Sequence, residues 1–81
     1  MPFYYTYVLK NKKDGSFYIG WSDNLKQRLK KHNLGLVKST RTKRPLKVVY
    51  FEACLSKTKA VAREKQLKTG FGRAYLKRRL V

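Results

Sequence analysis

The sequence predicts a small α+β domain: one three-stranded sheet flanked by two or three helices. Three observations predict it. Two runs rich in aromatic and branched residues, 3–10 and 17–21, bracket an Asp14-Gly15 turn. A third such run, 46–53, lies beyond a basic loop. Apolar residues at helical spacing, with capping residues at their edges, fill the stretches between and after them. A chain of 81 residues makes one domain, 1–81, whose core is thin enough that each large apolar residue counts.

Each element has its own reason. Phe3 to Lys10 is β-rich, and the break Asn11-Lys12-Lys13-Asp14-Gly15-Ser16 ends in a strong hairpin signal. Phe17 to Trp21 is the return strand. For any connecting loop with an even number of residues, Tyr7, Leu9 and Tyr18 share one face of this hairpin, and Val8, Phe17, Ile19 and Trp21 share the other. A helix then starts after Ser22 or Asp23, either of which can cap it, and runs to about Asn33 with Gly35 as its stop. Residues 34–45 form a basic loop. The third strand is 46–53. Ser56 caps a second helix running to about Lys68, with Thr69-Gly70 as its end. Residues 73–80 form a short terminal helix with Tyr75, Leu76 and Leu80 as its apolar contacts.

Charge is the dominant feature of the composition. With 21 Lys+Arg against 4 Asp+Glu, the formal net charge is +17 at pH 7. Such an excess concentrates anions near the surface and points first to nucleic acid, then to acidic membranes or an acidic protein. An RNA-binding scaffold would carry the same charge, so charge does not separate scaffold from enzyme. The single cysteine, Cys54, forms no internal disulfide and suits a reducing cytosol; its apolar neighbours predict a packed core thiol. No apolar run nears the roughly 20 residues that span a bilayer. Met1-Pro2-Phe3-Tyr4-Tyr5 lacks the basic start and apolar run of a secretory leader. These features predict a cytoplasmic protein with no membrane partner.

The acids are few enough to take singly. Asp14 belongs to the turn, Asp23 to a helix start, and Glu52 to the solvent edge of a strand. Glu64 is different. Ala60, Glu64, Leu67 and Phe71, if the helix reaches it, fall within an arc of roughly 40–60° on one helix face. A carboxylate on an inward stripe is costly without a cation or hydrogen-bond donors. Glu64 is therefore either half of a structural ion pair or a ligand for a divalent metal, the second reading being favoured. So few carboxylates suit a one-metal site completed by water and phosphate oxygens better than a two-metal one.

Arg28 and His32 stand at i and i+4, hence side by side on a helix, on the flank of the Leu25/Leu29 stripe. Alone, Arg28 is one cation among many, and a lone His is more often a cap or core residue than a catalyst. His32 cannot build a zinc site with Cys54 alone, but beside a phosphate it can act as a base or relay. The tyrosines also have a packing explanation, accepted for Tyr4, Tyr50 and Tyr75. Tyr7 and Tyr18 on one face, next to the helix that bears Arg28, call for more. A phenol with a free pKa near 10 needs a metal or cations such as Lys10 to act as a base at neutral pH.

The order of these residues carries a resemblance. Tyr5-Thr6-Tyr7, then Tyr18-Ile19-Gly20, then the helix with Arg28 and His32, then Arg63-Glu64-Lys65-Gln66-Leu67-Lys68, resembles the GIY-YIG nuclease domain over nearly the whole chain. The second triplet matches letter for letter; the first has Tyr5 and Thr6 where Gly and Ile give the family its name. The small stand-alone members, the URI or UPF0213 type, are the nearest in pattern. The resemblance implies a three-stranded antiparallel sheet flanked by helices and metal-dependent hydrolysis of phosphodiesters. It implies that Glu64 holds one Mg²⁺ or Mn²⁺, that Tyr18 or Tyr7 activates and positions the attacking water, and that Arg28 stabilises charge on the phosphorus. His32 would assist proton transfer, Lys10 would depress a tyrosine pKa, and Gly20 would permit close backbone approach.

The leading expectation is a DNA endonuclease, of use in repair or recombination. Lys38, Arg41, Lys43 and Arg44 of the loop, with Lys77, Arg78 and Arg79 of the last helix, would hold the nucleic-acid backbone without reading sequence. Phe3, Trp21 and Phe71 are better explained by core packing than by base stacking. No appended DNA-binding domain is present in the sequence, so a protein partner could supply specificity. The alternative is a non-catalytic module for DNA or RNA, which explains the charge equally well but leaves Glu64 an accident. A structural adaptor for an acidic partner explains neither Glu64 nor the tyrosine pair.

Overall fold

Alternation of apolar residues along the first strand gives the sheet two buried faces. The structure, a computed structural model, describes residues 3–80. Met1 and Pro2, part of the reading of the N-terminus, lie outside the described residues, as does Val81. Three strands, β1 (Tyr4–Asn11), β2 (Phe17–Ser22) and β3 (Leu46–Cys54), form an antiparallel sheet in the order β2-β1-β3. Helix α1 (Leu25–Asn33) covers one face, where Leu25 and Leu29 pack on Tyr7, Leu9 and Leu46. Helices α2 (Lys57–Leu67) and α3 (Gly70–Leu80) cover the other, where Leu67 and Leu76 pack on Val8 and Ile19. Fully burying a side chain of this size contributes about 1.5–3 kcal/mol, so the central strand β1 holds both layers. Thr6 adds a polar tie, donating its hydroxyl to the Ala60 carbonyl at 2.9 Å.

The register settles which residues share a face. Tyr7 pairs with Gly20 and Leu9 with Tyr18, while Val8 pairs with Ile19 and Lys10 with Phe17. Directly paired residues stand on the same side of a sheet, so both tyrosines face α1 as the parity argument expects. The turn behaves as Asp-Gly predicts: Gly15 has φ +74°, and Asp14 accepts from the Ser16 N–H at 2.9 Å.

Helix boundaries differ from the sequence reading in instructive ways. Neither Ser22 nor Asp23 caps α1. Asn24 does, accepting from the Gln27 N–H at 3.1 Å, and Ser22 braces Asn24 in turn by accepting its N–H at 3.0 Å. Helix α1 ends as expected at Gly35, whose φ of +78° allows the paired closing bonds Gly35 N–H to His32 and Leu36 N–H to Lys31. The sequence predicts a stop at Thr69-Gly70 and a terminal helix only from Arg73. Instead Thr69 caps α3, its hydroxyl oxygen accepting from the Gly72 N–H at 3.2 Å, so the helix begins at Gly70. At Gly72 a Cβ would lie 2.3 Å from the Gln66 carbonyl oxygen and 2.4 Å from Leu67 Cα, so α3 crosses α2 with backbones in contact.

Single-residue expectations are corrected at Glu52, Cys54, Phe71 and Phe3. Glu52 does not simply face solvent: Arg63 grips it with contacts from 2.9 Å, and the Tyr50 hydroxyl donates to it at 2.6 Å. The guanidinium groups of Arg63 and Arg79 both stand over the Tyr75 ring, at 5.2 and 4.7 Å, and Tyr75 completes a network tying β3 to α2 and α3. Cys54 is half-buried, its thiol donating to the Ser56 carbonyl at 3.2 Å, and not a core thiol. Phe71 leaves the inward stripe because α2 has already ended; it is 93% exposed. Phe3 also reaches solvent, and half-buried Trp21 carries the Lys57 ammonium 5.3 Å from its ring centroid. Among the described residues no helix is long and apolar enough to cross a membrane.

Candidate active site

The site is built around Tyr7, which the middle strand directs toward α1 and which is 1% exposed. Its ring needs the space opposite it on β2. A Cβ at Gly20 would lie 2.6 Å from the Tyr7 hydroxyl oxygen and 2.7 Å from Cζ. Gly20 therefore admits the phenol of its own neighbour, a use of close approach that the sequence alone did not specify.

Helix α1 supplies the next two groups. One turn apart on its inner flank, Arg28 and His32 both reach the phenol. His32 is completely buried, with Nε2 2.9 Å from the Tyr7 hydroxyl and Nδ1 2.7 Å from the Thr40 hydroxyl. Burial, and secondarily the Arg28 cation, lower its pKa from 6.5 to about 4, so the ring is neutral near pH 7. The Thr40 hydroxyl also faces the Val37 carbonyl at 3.5 Å, an acceptor with no proton of its own. The arrangement that satisfies every atom has Tyr7 donating to Nε2, Nδ1–H donating to Thr40, and Thr40 turned toward Val37; this tautomer is assigned from the network. Tyr18 closes the cluster, its ring edge-on to His32 at 5.0 Å between centroids, with the Ser39 hydroxyl 3.4 Å from its own.

Thr40 is the member that the sequence reading missed. It sits in a basic stretch expected to be a loop, but residues Lys38–Lys43 wind into a short 3-10 helix that buries Thr40 completely. No periodicity marks it; only a small hydroxyl amid cations hints that one residue of the segment points inward. Asn33 locks the same region, donating to the Leu46 carbonyl at 3.0 Å and accepting the Leu46 N–H at 2.9 Å.

Electrostatics bring in the last two groups. Burial raises the Tyr7 pKa above the ordinary 10, and the charges of Tyr18 and Glu64 add to the rise; the neighbouring Arg28 guanidinium opposes it. Glu64 thus lies within electrostatic reach of the phenol although α2 packs on the other face of the sheet. Its side chain is 18% exposed, with the Lys68 ammonium 3.7 Å from the carboxylate. Among the described residues no three His, Cys, Asp or Glu gather as a ready-made metal cluster. The donor available is one carboxylate, a hard oxygen ligand of the type that Mg²⁺ and Mn²⁺ take alongside water. Arg28 Nε is buried and has no hydrogen-bond partner among the described residues. An orphaned guanidinium donor is costly and suits an anion that arrives from outside.

The remaining predicted residues are dispersed. Lys10 stands apart: it is on the face opposite Tyr7, and a Cβ at Gly15 would meet its Cε at 3.7 Å. The group that lowers the phenol's pKa is Arg28 instead. Lys38, Arg41, Lys43 and Arg44 are exposed, and two of them brace their own segment: Arg41 Nε donates to Gly35 at 3.2 Å and Arg44 Nε to Arg41 at 2.9 Å. Lys77, Arg78 and Arg79 are consecutive on a helix and so diverge by about 100° each. Lys77 faces β2, Arg78 the Phe71 side, and Arg79 the Tyr75 ring.

Comparison with known proteins places the chain in a family. The GIY-YIG catalytic domain family matches residues 3–78. A UPF0213 protein of Clostridium perfringens is 48% identical over 65 residues, covering 79% of this chain and 69% of that one. One from Staphylococcus haemolyticus is 41% identical over 70 residues, covering 85% and 84%. The solution structure of a UPF0213 protein from Bacillus halodurans superposes with a TM-score of 0.55 at 34% identity, covering 91% of this chain and 81% of that one. Sheet, helices and both tyrosine-bearing strands fall within the matched span, and the chain belongs to the GIY-YIG family, in its UPF0213 group.

Proposed function

We propose that this protein is a DNA endonuclease that hydrolyses phosphodiester bonds with one Mg²⁺ or Mn²⁺ held by Glu64. The observation that carries the reading is the half-buried Arg28 guanidinium beside Tyr7 and the Glu64 charge, its Nε without an acceptor among the described residues. A non-bridging phosphate oxygen is the acceptor that fits it. When bound, the ion contributes Lewis acidity toward the phosphate and lowers the pKa of coordinated water.

The protein's own groups do the rest. Arg28 binds the phosphate and neutralises the charge that grows on it as water attacks. Tyr7 donates its proton toward His32, which turns a phenolic lone pair outward to accept a hydrogen bond from the attacking water. His32, kept neutral, accepts the Tyr7 hydroxyl proton in a hydrogen bond at Nε2 while its own Nδ1–H stays on Thr40, so the phenol is held in one orientation and no imidazolium forms beside Arg28. Tyr18 borders the same space and orients the water or the phosphate. The exposed cations of the 3-10 segment and of α3 hold the strand by its phosphates. A cytoplasmic role in DNA repair or recombination, with a partner protein to select sites, accords with this chemistry.

Cleavage of supercoiled plasmid and of labelled single-stranded, branched and RNA substrates tests it, with Mg²⁺ or Mn²⁺ and EDTA controls. The wild type should nick DNA in the presence of the ion, and Glu64→Ala should bind DNA as well as the wild type yet fail to cut. Binding by both proteins with no cleavage by either would favour a non-catalytic nucleic-acid module.

A further inference from the structure

A groove of about 470 Å³ runs along the free edge of β2, between the hairpin and α3. Its floor is Phe17, Ile19 and Leu76; its rim carries Lys68, Arg73 and Lys77. None of the three cations belongs to the 3-10 segment, and all three are exposed. Tyr18 lines the end of the groove, and Lys68 stands one helical turn beyond Glu64, 3.7 Å from its carboxylate. The groove therefore borders the candidate active site.

We infer that this groove seats the strand adjoining the scissile phosphate, with Lys68, Arg73 and Lys77 on successive phosphates and a sugar against the exposed ring of Phe17. The inference rests on the nuclease reading for its direction but not for its existence. An apolar floor under a cationic rim matches the two chemistries of a nucleic-acid backbone, an apolar sugar face and an anionic phosphate row. Acidic lining would not match it, and none of the four acids of the chain lines the groove. Phe17 and Ile19 come from β2 and Lys68 from the end of α2, the elements that carry Tyr18 and Glu64, so a strand held here lies beside the site.

The test is equilibrium binding of a fluorescently labelled DNA oligonucleotide, in EDTA, over a range of salt. Lys68→Gln, Arg73→Gln and Lys77→Gln are combined in one protein and compared with Lys26→Gln, Lys47→Gln and Lys59→Gln, which lose the same charge elsewhere. The groove protein should bind roughly tenfold or more weakly, and the slope of log K against log salt should fall by roughly 0.7–0.9 for each lost phosphate contact. The control should lose little slope. Equal slopes in the two triple variants would overturn the groove assignment. Because binding is read without metal, that outcome is separate from a failure to cleave, which bears on the nuclease reading alone.

Discussion

Acid should destabilise this protein through His32, and the size of the effect follows from its surroundings. The unfolded chain takes up a proton on this ring near pH 6.5, whereas the folded chain resists until about pH 4. A histidine with a lowered folded pKa stabilises the fold fully above its unfolded value. That stability is lost as the pH falls from about 6.5 to about 4, at close to 1.4 kcal/mol per pH unit and about 3 kcal/mol in total. Two carboxylates are held below their ordinary values: Asp14 by hydrogen bonds from Ser16, and Glu52 because the Arg63 and Tyr50 hydrogen bonds outweigh burial. The measurement is urea unfolding followed by far-UV circular dichroism, in buffers from neutral to about pH 4, for the wild type and His32→Gln. The substitution removes the titration while keeping a polar side chain. It should cost stability at neutral pH, where Tyr7 and Thr40 lose well-placed partners, and the two stability curves should converge as the pH falls. A constant gap between them across the window would refute the claim that His32 is buried and neutral.

Two glycines make sharper structural predictions. Gly20→Ala drives a methyl into the Tyr7 hydroxyl, so the Tyr7–His32 bond should break and nicking should fall on the order of a hundredfold, with far-UV circular dichroism retained. Gly72→Ala meets backbone instead of a movable side chain and should lower the midpoint of thermal unfolding by more than about 10 °C. Gly70→Ala, whose Cβ meets nothing, should leave it unchanged or raise it slightly.

What was legible in the sequence was what depends on local rules. Strand parity placed Tyr7 and Tyr18 together because side chains alternate whatever the tertiary contacts. Helical spacing put Glu64 near Ala60 and Leu67 for the same reason, and Asp14-Gly15 marked the hairpin through a backbone preference. What failed depended on competition or on distance. Ser22, Asp23 and Asn24 can all cap a helix, and only the final geometry selects Asn24. Thr69-Gly70 serves equally as a stop or a start, and the close crossing at Gly72 decides for a start. Glu52 finds Arg63 eleven residues away, and Thr40 finds His32 only because the intervening turn folds back. Lys10 was paired with the tyrosines on chemical grounds, but the same parity that unites them sends it to the opposite face.

The sheet order has a consequence for how the protein keeps company with itself. β2 and β3 each have a single partner among the described strands, so each offers an open row of backbone donors and acceptors. Such rows invite strand-to-strand pairing between copies, and no bulky layer is needed to prevent it here. A charge of +17 on so small a body keeps identical molecules apart at physiological ionic strength, where fields persist for about 8 Å. The same lysines and arginines that grip a polyanion thus act as a colloidal shield. Near 1 M salt the field shrinks to about 3 Å, and self-association along these rims becomes the expected behaviour of the concentrated protein.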